Sequence, residues 1–76
     1  MKIEILGTGC PKCQTLAANA KQAAAELGLD AEIVKVTDIA EIAARGVMLT
    51  PALVVDGDAK IVGKAPSVEE LKTLLA

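Results

Sequence analysis

Between Lys2 and Leu6, apolar Ile3 and Ile5 alternate with charged Lys2 and Glu4, and Leu6 closes the run. A period of two predicts a strand that buries one face. Gly7-Thr8-Gly9 interrupts it. From Cys10 the period changes. Leu16, Ala20, Ala24 and Leu27 recur at helical spacing. Pro11 suits a first helical position, where its missing N–H has no intrahelical partner, and Gly28 suits the residue just past the end. A second strand is expected over Ala31–Val36, through Ile33, Val34 and Val36. Thr37 or Asp38 then caps a short helix with Ile39, Ile42 and Ala43 as its apolar positions, ending near Gly46. Leu53-Val54-Val55 and Ile61-Val62 flank Asp56-Gly57-Asp58, which has the turn chemistry of a hairpin. Ser67-Val68-Glu69-Glu70 is a capping box opening a last helix, with Val68, Leu71, Leu74 and Leu75 apolar.

The predicted order is strand, helix, strand, helix, strand, strand, helix. The first βαβ unit makes its two strands parallel with a right-handed crossover, and the hairpin makes the last two antiparallel. The expected fold class is α/β: a four-stranded mixed sheet with helices on both faces. Residues 1–76 form a single domain, with no repeat, linker or low-complexity segment.

Composition narrows the function. The chain is 53% hydrophobic and contains no Phe, Tyr or Trp, so its core is aliphatic and it cannot stack nucleobases on aromatic rings. Its net charge of −2 provides no basic stripe for nucleic acid. No segment nears the ~20 apolar residues of a membrane span. The short first segment carries Glu4 and does not read as a secretory signal, so a cytoplasmic protein is expected. Two cysteines three positions apart close too small a loop to staple distant segments. That spacing points to chemistry rather than architecture.

Cys10-Pro11-Lys12-Cys13 falls where a strand ends and a helix begins. A helix N-terminus carries about half a positive elementary charge and unpaired N–H groups, and both favour a thiolate. Such settings lower a thiol pKa from about 8.5 to roughly 3.5–7.5, and the thiolate is the species that attacks disulfides. Cys10, at the cap, is the expected nucleophile and the more exposed sulfur. Cys13, one turn in, is the expected resolving cysteine. Pro11 limits the backbone between them, and Lys12 adds a local positive charge. The alternative for a C-x-x-C pair is metal ligation. With no His and no third Cys, one chain cannot complete a tetrahedral zinc site from such ligands.

The element order, the cysteine motif after the first strand, and Thr50-Pro51 before the third together resemble the thioredoxin fold. More narrowly, the chain is similar to small, glutaredoxin-sized redox-active disulfide proteins of archaea and bacteria. Gly7-Thr8-Gly9, Thr50-Pro51-Ala52-Leu53 and Gly63-Lys64-Ala65-Pro66-Ser67 are further landmarks. The resemblance implies a cis peptide at Thr50–Pro51 facing the cysteines, where main-chain groups pair with a substrate strand. On the residues alone, a trans turn opening an edge strand is the alternative. Thr8 and Gly9 would flank the site. Gly9 stands where thioredoxins carry Trp, and Lys12 where many glutaredoxins carry an aromatic. Glu4 is the one first-strand candidate for an acid beneath the disulfide. Covered by the sheet it would have a raised pKa and relay a proton to Cys13; the alternative is a solvated strand residue. Ser67 either caps its helix or helps bind a carboxylate.

The expected function is thus a thiol–disulfide oxidoreductase that reduces protein disulfides. A flavoenzyme resembling thioredoxin reductase would recharge it, and the chain itself would bind no cofactor beyond its Cys10–Cys13 disulfide. The competing expectation is a carrier of a soft metal such as Cu(I), for which two thiolates suffice. Thr8 instead of Met before the pair, the helical ending and Thr50-Pro51 weigh against that carrier. A third expectation is a docking domain built on Val47, Met48 and Leu49.

Overall fold

The computed structural model describes residues 1–76. The elements are β1 (Lys2–Leu6), α1 (Pro11–Glu26), β2 (Glu32–Val36), α2 (Ile39–Ala44), β3 (Ala52–Val55), β4 (Asp58–Val62) and α3 (Val68–Leu75). Every predicted element is present. β2 begins one residue later than expected, at Glu32. The sheet order is β2-β1-β3-β4, with β2 parallel to β1 and the other pairs antiparallel.

Alternation along β1 sorts its side chains to two faces. Ile3 and Ile5 pack with Leu16, Ala17, Ala20 and Ala23 of α1, Leu53 and Val55 of β3, and Leu71 and Leu75 of α3. Leu6 packs on the other face with Val36, Val54, Ile42 of α2 and Val47. Helices α1 and α3 therefore cover one face and α2 the other. Small side chains let α1 lie close to the sheet, since Ala20 and Ala23 are fully buried.

Local chemistry sets the ends. The Ser67 hydroxyl accepts from the Glu70 N–H at 3.2 Å, the capping half of its box. The Asp38 carboxylate caps α2 by accepting from the Ala40 N–H at 2.8 Å. Asp56 and Gly57 both have positive φ, 49° and 90°, as a two-residue hairpin of the I′ kind requires. Asp56 also ties the hairpin to β1, accepting from the Lys2 N–H at 2.8 Å. Asn19 joins α1 to the segment before α3 by donating to the Pro66 carbonyl at 3.0 Å.

Three expected helical apolar positions, Ile39, Ala43 and Leu74, are exposed. Leu74 is exposed because Leu71 and Leu75, four apart, form the inner seam of α3. Ile39 is 72% exposed because the six-residue α2 presents only Ile42 inward. No helix is long and apolar enough to cross a membrane.

Leu53 is fully buried between the helices and the sheet. Leu53→Ala should lower unfolding stability by about 2–5 kcal/mol, whereas Leu74→Ala should change it by no more than ~0.5 kcal/mol. Urea denaturation followed by far-UV circular dichroism checks both.

Candidate active site

The chain leaves β1 through Gly7, Thr8 and Gly9 and enters α1 at Pro11, so the end of the first strand delivers Cys10 to the start of the first helix. Cys10 is the N-cap, with extended φ −66° and ψ 162°. Its Sγ accepts from the Cys13 N–H at 3.2 Å, doing with sulfur what a Ser or Asp oxygen does at other caps. Cys10 and Cys13 are joined by a disulfide with their Cα atoms 5.0 Å apart. Cys10 is half-buried, and Cys13 is buried at 5% exposure.

The electrostatics around the pair favour negative charge on Cys10. The first turn of α1 carries no acid, and its one basic side chain, Lys12, is exposed. A thiolate on Cys10 would meet the helix N-terminus and the Cys13 N–H with no carboxylate in that first turn opposing it. Pro11 occupies the first helical position, as its missing N–H allows. The Gln14 side-chain amide holds the turn before the pair, donating to the Gly9 carbonyl at 3.1 Å. Gly9 has φ +93° and is exposed, as is Thr8.

The Thr50–Pro51 peptide bond is cis. Pro51 is buried, and its carbonyl accepts from the Gly63 N–H at 2.8 Å, so β4 braces this loop. Thr50 is exposed. It shares a groove of about 330 Å³ with Thr8, Ile39, Ile42, Val47 and Met48. The structure thus brings together the turn before Cys10, the loop at Pro51 and the start of α2. Met48 and Leu49 are strongly exposed at this groove and its flank, whereas Val47 is buried in the core. Ser67 acts as a helix cap.

Glu4 differs from both expectations. It is buried on the α2 face of β1, not solvated. Its carboxylate accepts from Arg45 at 2.6 Å and 2.9 Å, and this pairing holds its pKa below the ordinary carboxylate value despite partial desolvation. Cys13 belongs to the opposite face, so the sheet lies between the two, and Glu4 is not a proton relay to it. Arg45 stands at the C-cap of α2, and its second tie is to the Glu41 carbonyl at 2.9 Å.

Two residues beside the pair have contacts that the sequence did not assign them. Gly7 is buried against Cys13: a Cβ there would overlap Cys13 Sγ and stand 2.9 Å from Cys13 Cβ. Continuing the Ile3-Ile5 alternation to position 7 is the signal that points Gly7 at α1. Lys35 lines a recess of about 50 Å³ that reaches Cys13, together with Gly7, Gly9, Gln14 and Thr37. Only the parallel register Ile5↔Lys35 brings it there.

Comparisons with known proteins agree with this geometry. A family model described as "Thioredoxin domain" matches residues 1–76. A protein named thioredoxin from Methanothermobacter thermautotrophicus is 47% identical over 76 residues, covering 100% of this chain and 99% of that protein. Another of the same name from Methanocaldococcus jannaschii is 56% identical over 70 residues, covering 92% of this chain and 80% of its own length.

The pairing of buried Glu4 with Arg45 makes stability depend on pH. Because the folded-state pKa of Glu4 is depressed, its contribution is complete above the ordinary value of 4.5 and is lost as pH falls through the folded value. The stability difference between the native chain and Glu4→Gln, from denaturation curves, should be constant near neutrality and shrink on acidification. In Arg45→Met the carboxylate is buried without its partner, so acidification should relieve the defect.

Gly7→Ala should cost about 1–3 kcal/mol by overpacking. The loss should be larger in the oxidised protein than in the reduced one, where Cys13 Sγ is free to turn away. Denaturation with and without reductant measures the difference.

Proposed function

The chain belongs to the thioredoxin family and is a thiol–disulfide oxidoreductase, and from that premise we propose that Cys10 is its nucleophile and Cys13 its resolving cysteine. One observation carries this assignment: the accessible sulfur is the helix cap, with the Cys13 N–H directed at it from 3.2 Å. In the reduced protein the Cys10 thiolate attacks one sulfur of a substrate disulfide. A bond forms between Cys10 and that sulfur, and the other substrate sulfur leaves as a thiolate. Cys13, deprotonated, then attacks Cys10 Sγ, releases the second substrate thiolate and closes the Cys10–Cys13 disulfide. Two electrons pass to the substrate, and the two thiolates take up protons. With Glu4 across the sheet and paired to Arg45, the Cys13 proton leaves toward solvent through the recess lined by Gly9, Gln14 and Lys35.

Protein disulfides are the substrates in this proposal. The groove between Thr8, Ile39, Met48 and Thr50 supports it, being largely apolar and reaching Thr8, two residues before Cys10. An extended substrate segment would lie there, pairing with the main chain at Thr50 beside Pro51. Pro11 and Lys12, exposed at the start of α1, and Gly9 and Thr8 at the turn would flank that segment. The electron donor is a flavoenzyme resembling thioredoxin reductase. The flavin belongs to that partner, and the redox group of this chain is its cysteine pair. We place this exchange in the cytoplasm.

With no aromatic residue to report the redox state optically, alkylation and mass spectrometry provide the readout. Equilibration with dithiothreitol buffers should show one reversible two-electron transition within roughly −350 to −100 mV; its absence would sink the redox role. Iodoacetamide should label Cys10 of the reduced protein well below pH 8 while Cys13 stays protected. Cys10→Ser should abolish insulin reduction, and Cys13→Ser should accumulate a mixed disulfide. Faster labelling of Cys13 would reverse the two roles.

A further inference from the structure

The two edges of the sheet differ. On β4, the register against β3 shifts between Leu53 and Val54, and Asp58, Lys60 and Val62 face solvent. Such irregular, charged edges resist pairing with other chains. On β2 the register is unbroken for five residues. The Glu32 N–H donates to the Met1 carbonyl at 2.9 Å, and the Gly7 N–H donates to the Val36 carbonyl at 3.0 Å. In a parallel ladder, residues 32, 34 and 36 therefore turn their main chain toward β1, and Ile33 and Lys35 turn theirs to the open side.

The same two residues present their side chains to the α1 face, in register with Ile3 and Ile5. Here a groove of about 920 Å³ runs between β2 and α1. Leu29, Ala31 and Ile33 give it an apolar floor, and its charged lining residues are Lys21 and Lys35 alone. Neither lysine takes part in an ion pair. The groove ends at Gly9, Gln14, Lys35 and Thr37, which also line the recess reaching Cys13. It lies on the face of the sheet opposite the groove at Thr8 and Thr50, whose other walls come from α2.

We propose that the open edge of β2 receives an extended acidic segment of a redox partner protein as a fifth strand, its carboxylates between Lys21 and Lys35. An extended backbone satisfies the outward N–H and C=O groups of Ile33 and Lys35. In a strand of alternating carboxylate and apolar residues, the carboxylates fall together on the α1 face with the two cations, and the apolar side chains fall on the other face beside Val34. A second copy of this chain fits poorly. Twofold antiparallel pairing about Val34 would set the two Lys35 side chains diagonally across one face, where like charges repel. Docking here leaves the apolar groove at Thr50 free, so a partner can be held near the disulfide without displacing substrate. The redox reading supplies only the partner's role; the docking is tested without turnover.

The probe is a capped eight-residue peptide alternating aspartate and valine, titrated into the oxidised, 15N-labelled full chain. Saturable amide shifts should concentrate on residues 31–37 and Lys21, with the Ile33 and Lys35 amides slowed in hydrogen exchange. Affinity should fall by about tenfold for Lys21→Glu, whose thermal melt checks its fold, and for a peptide with lysine in place of aspartate. A peptide N-methylated on alternate amides should not bind. Absence of saturable shifts at millimolar peptide, shifts confined to Met48–Thr50, or indifference to the peptide's charge would overturn the proposal. Each failure leaves the redox titration of the cysteine pair unaffected. Conversely, peptide binding by a chain with no redox transition would retain the surface and remove the redox partner.

Discussion

A sulfur atom caps the first helix, and the rest of the site is arranged around that contact. Because Cys10 is both the last extended residue and the acceptor for the Cys13 N–H, β1 and α1 must meet at this point. The meeting requires three things of the fold. Strand β1 must be central, so that its end is held on both sides. The body of α1 must lie close to the sheet, which its buried alanines allow. The turn between them must leave space for the second sulfur, which Gly7 does by having no side chain. An N-cap oxygen would satisfy the helix equally well. A sulfur there satisfies it and also places the proposed nucleophile where anionic charge is stabilised.

The sheet divides the chemistry. On the α1 face lie Cys13, its recess and the groove along β2. On the α2 face lie the Glu4–Arg45 pair, Ile42 and the apolar groove shared by Thr8 and Thr50. This separation explains why a buried acid in the first strand need not serve the disulfide. Glu4 is one residue out of phase with Ile5 and Gly7, and in a strand one residue is the difference between faces. Arg45 satisfies the carboxylate where it lies, so Glu4 contributes to the join between β1 and α2.

The chain departs from a single-purpose scaffold at its surfaces. Ile39, Met48 and Leu49 are exposed although each is strongly apolar, and they gather around the cis Thr50–Pro51 bond and the turn before Cys10. At the opposite edge, β2 combines an unpaired main chain with two unpaired lysines. A domain of 76 residues has little surface to spare. Placing two unlike surfaces on opposite faces near one disulfide lets both adjoin the redox centre without overlapping.

Much of this was written locally in the sequence. Period-two and helical spacings, the capping residues Asp38 and Ser67, and the Asp56-Gly57 turn each act within a few residues, and they yield the element order directly. The cysteine pair at a strand-to-helix junction is equally local, so the redox centre was legible before any tertiary contact was known. Thr50-Pro51 was legible only through family resemblance, since the dipeptide alone also allows a trans turn. What the tertiary structure decided depends on register and on partners distant in sequence. Arg45 lies 41 positions from Glu4 and meets it only because α2 packs beneath β1. Lys35 reaches the recess at Cys13 only because β2 runs parallel to β1 with Ile5 opposite Lys35. Ile39 and Leu74 follow helical spacing yet face solvent, because spacing tells which residues share a stripe and packing decides which stripe is covered.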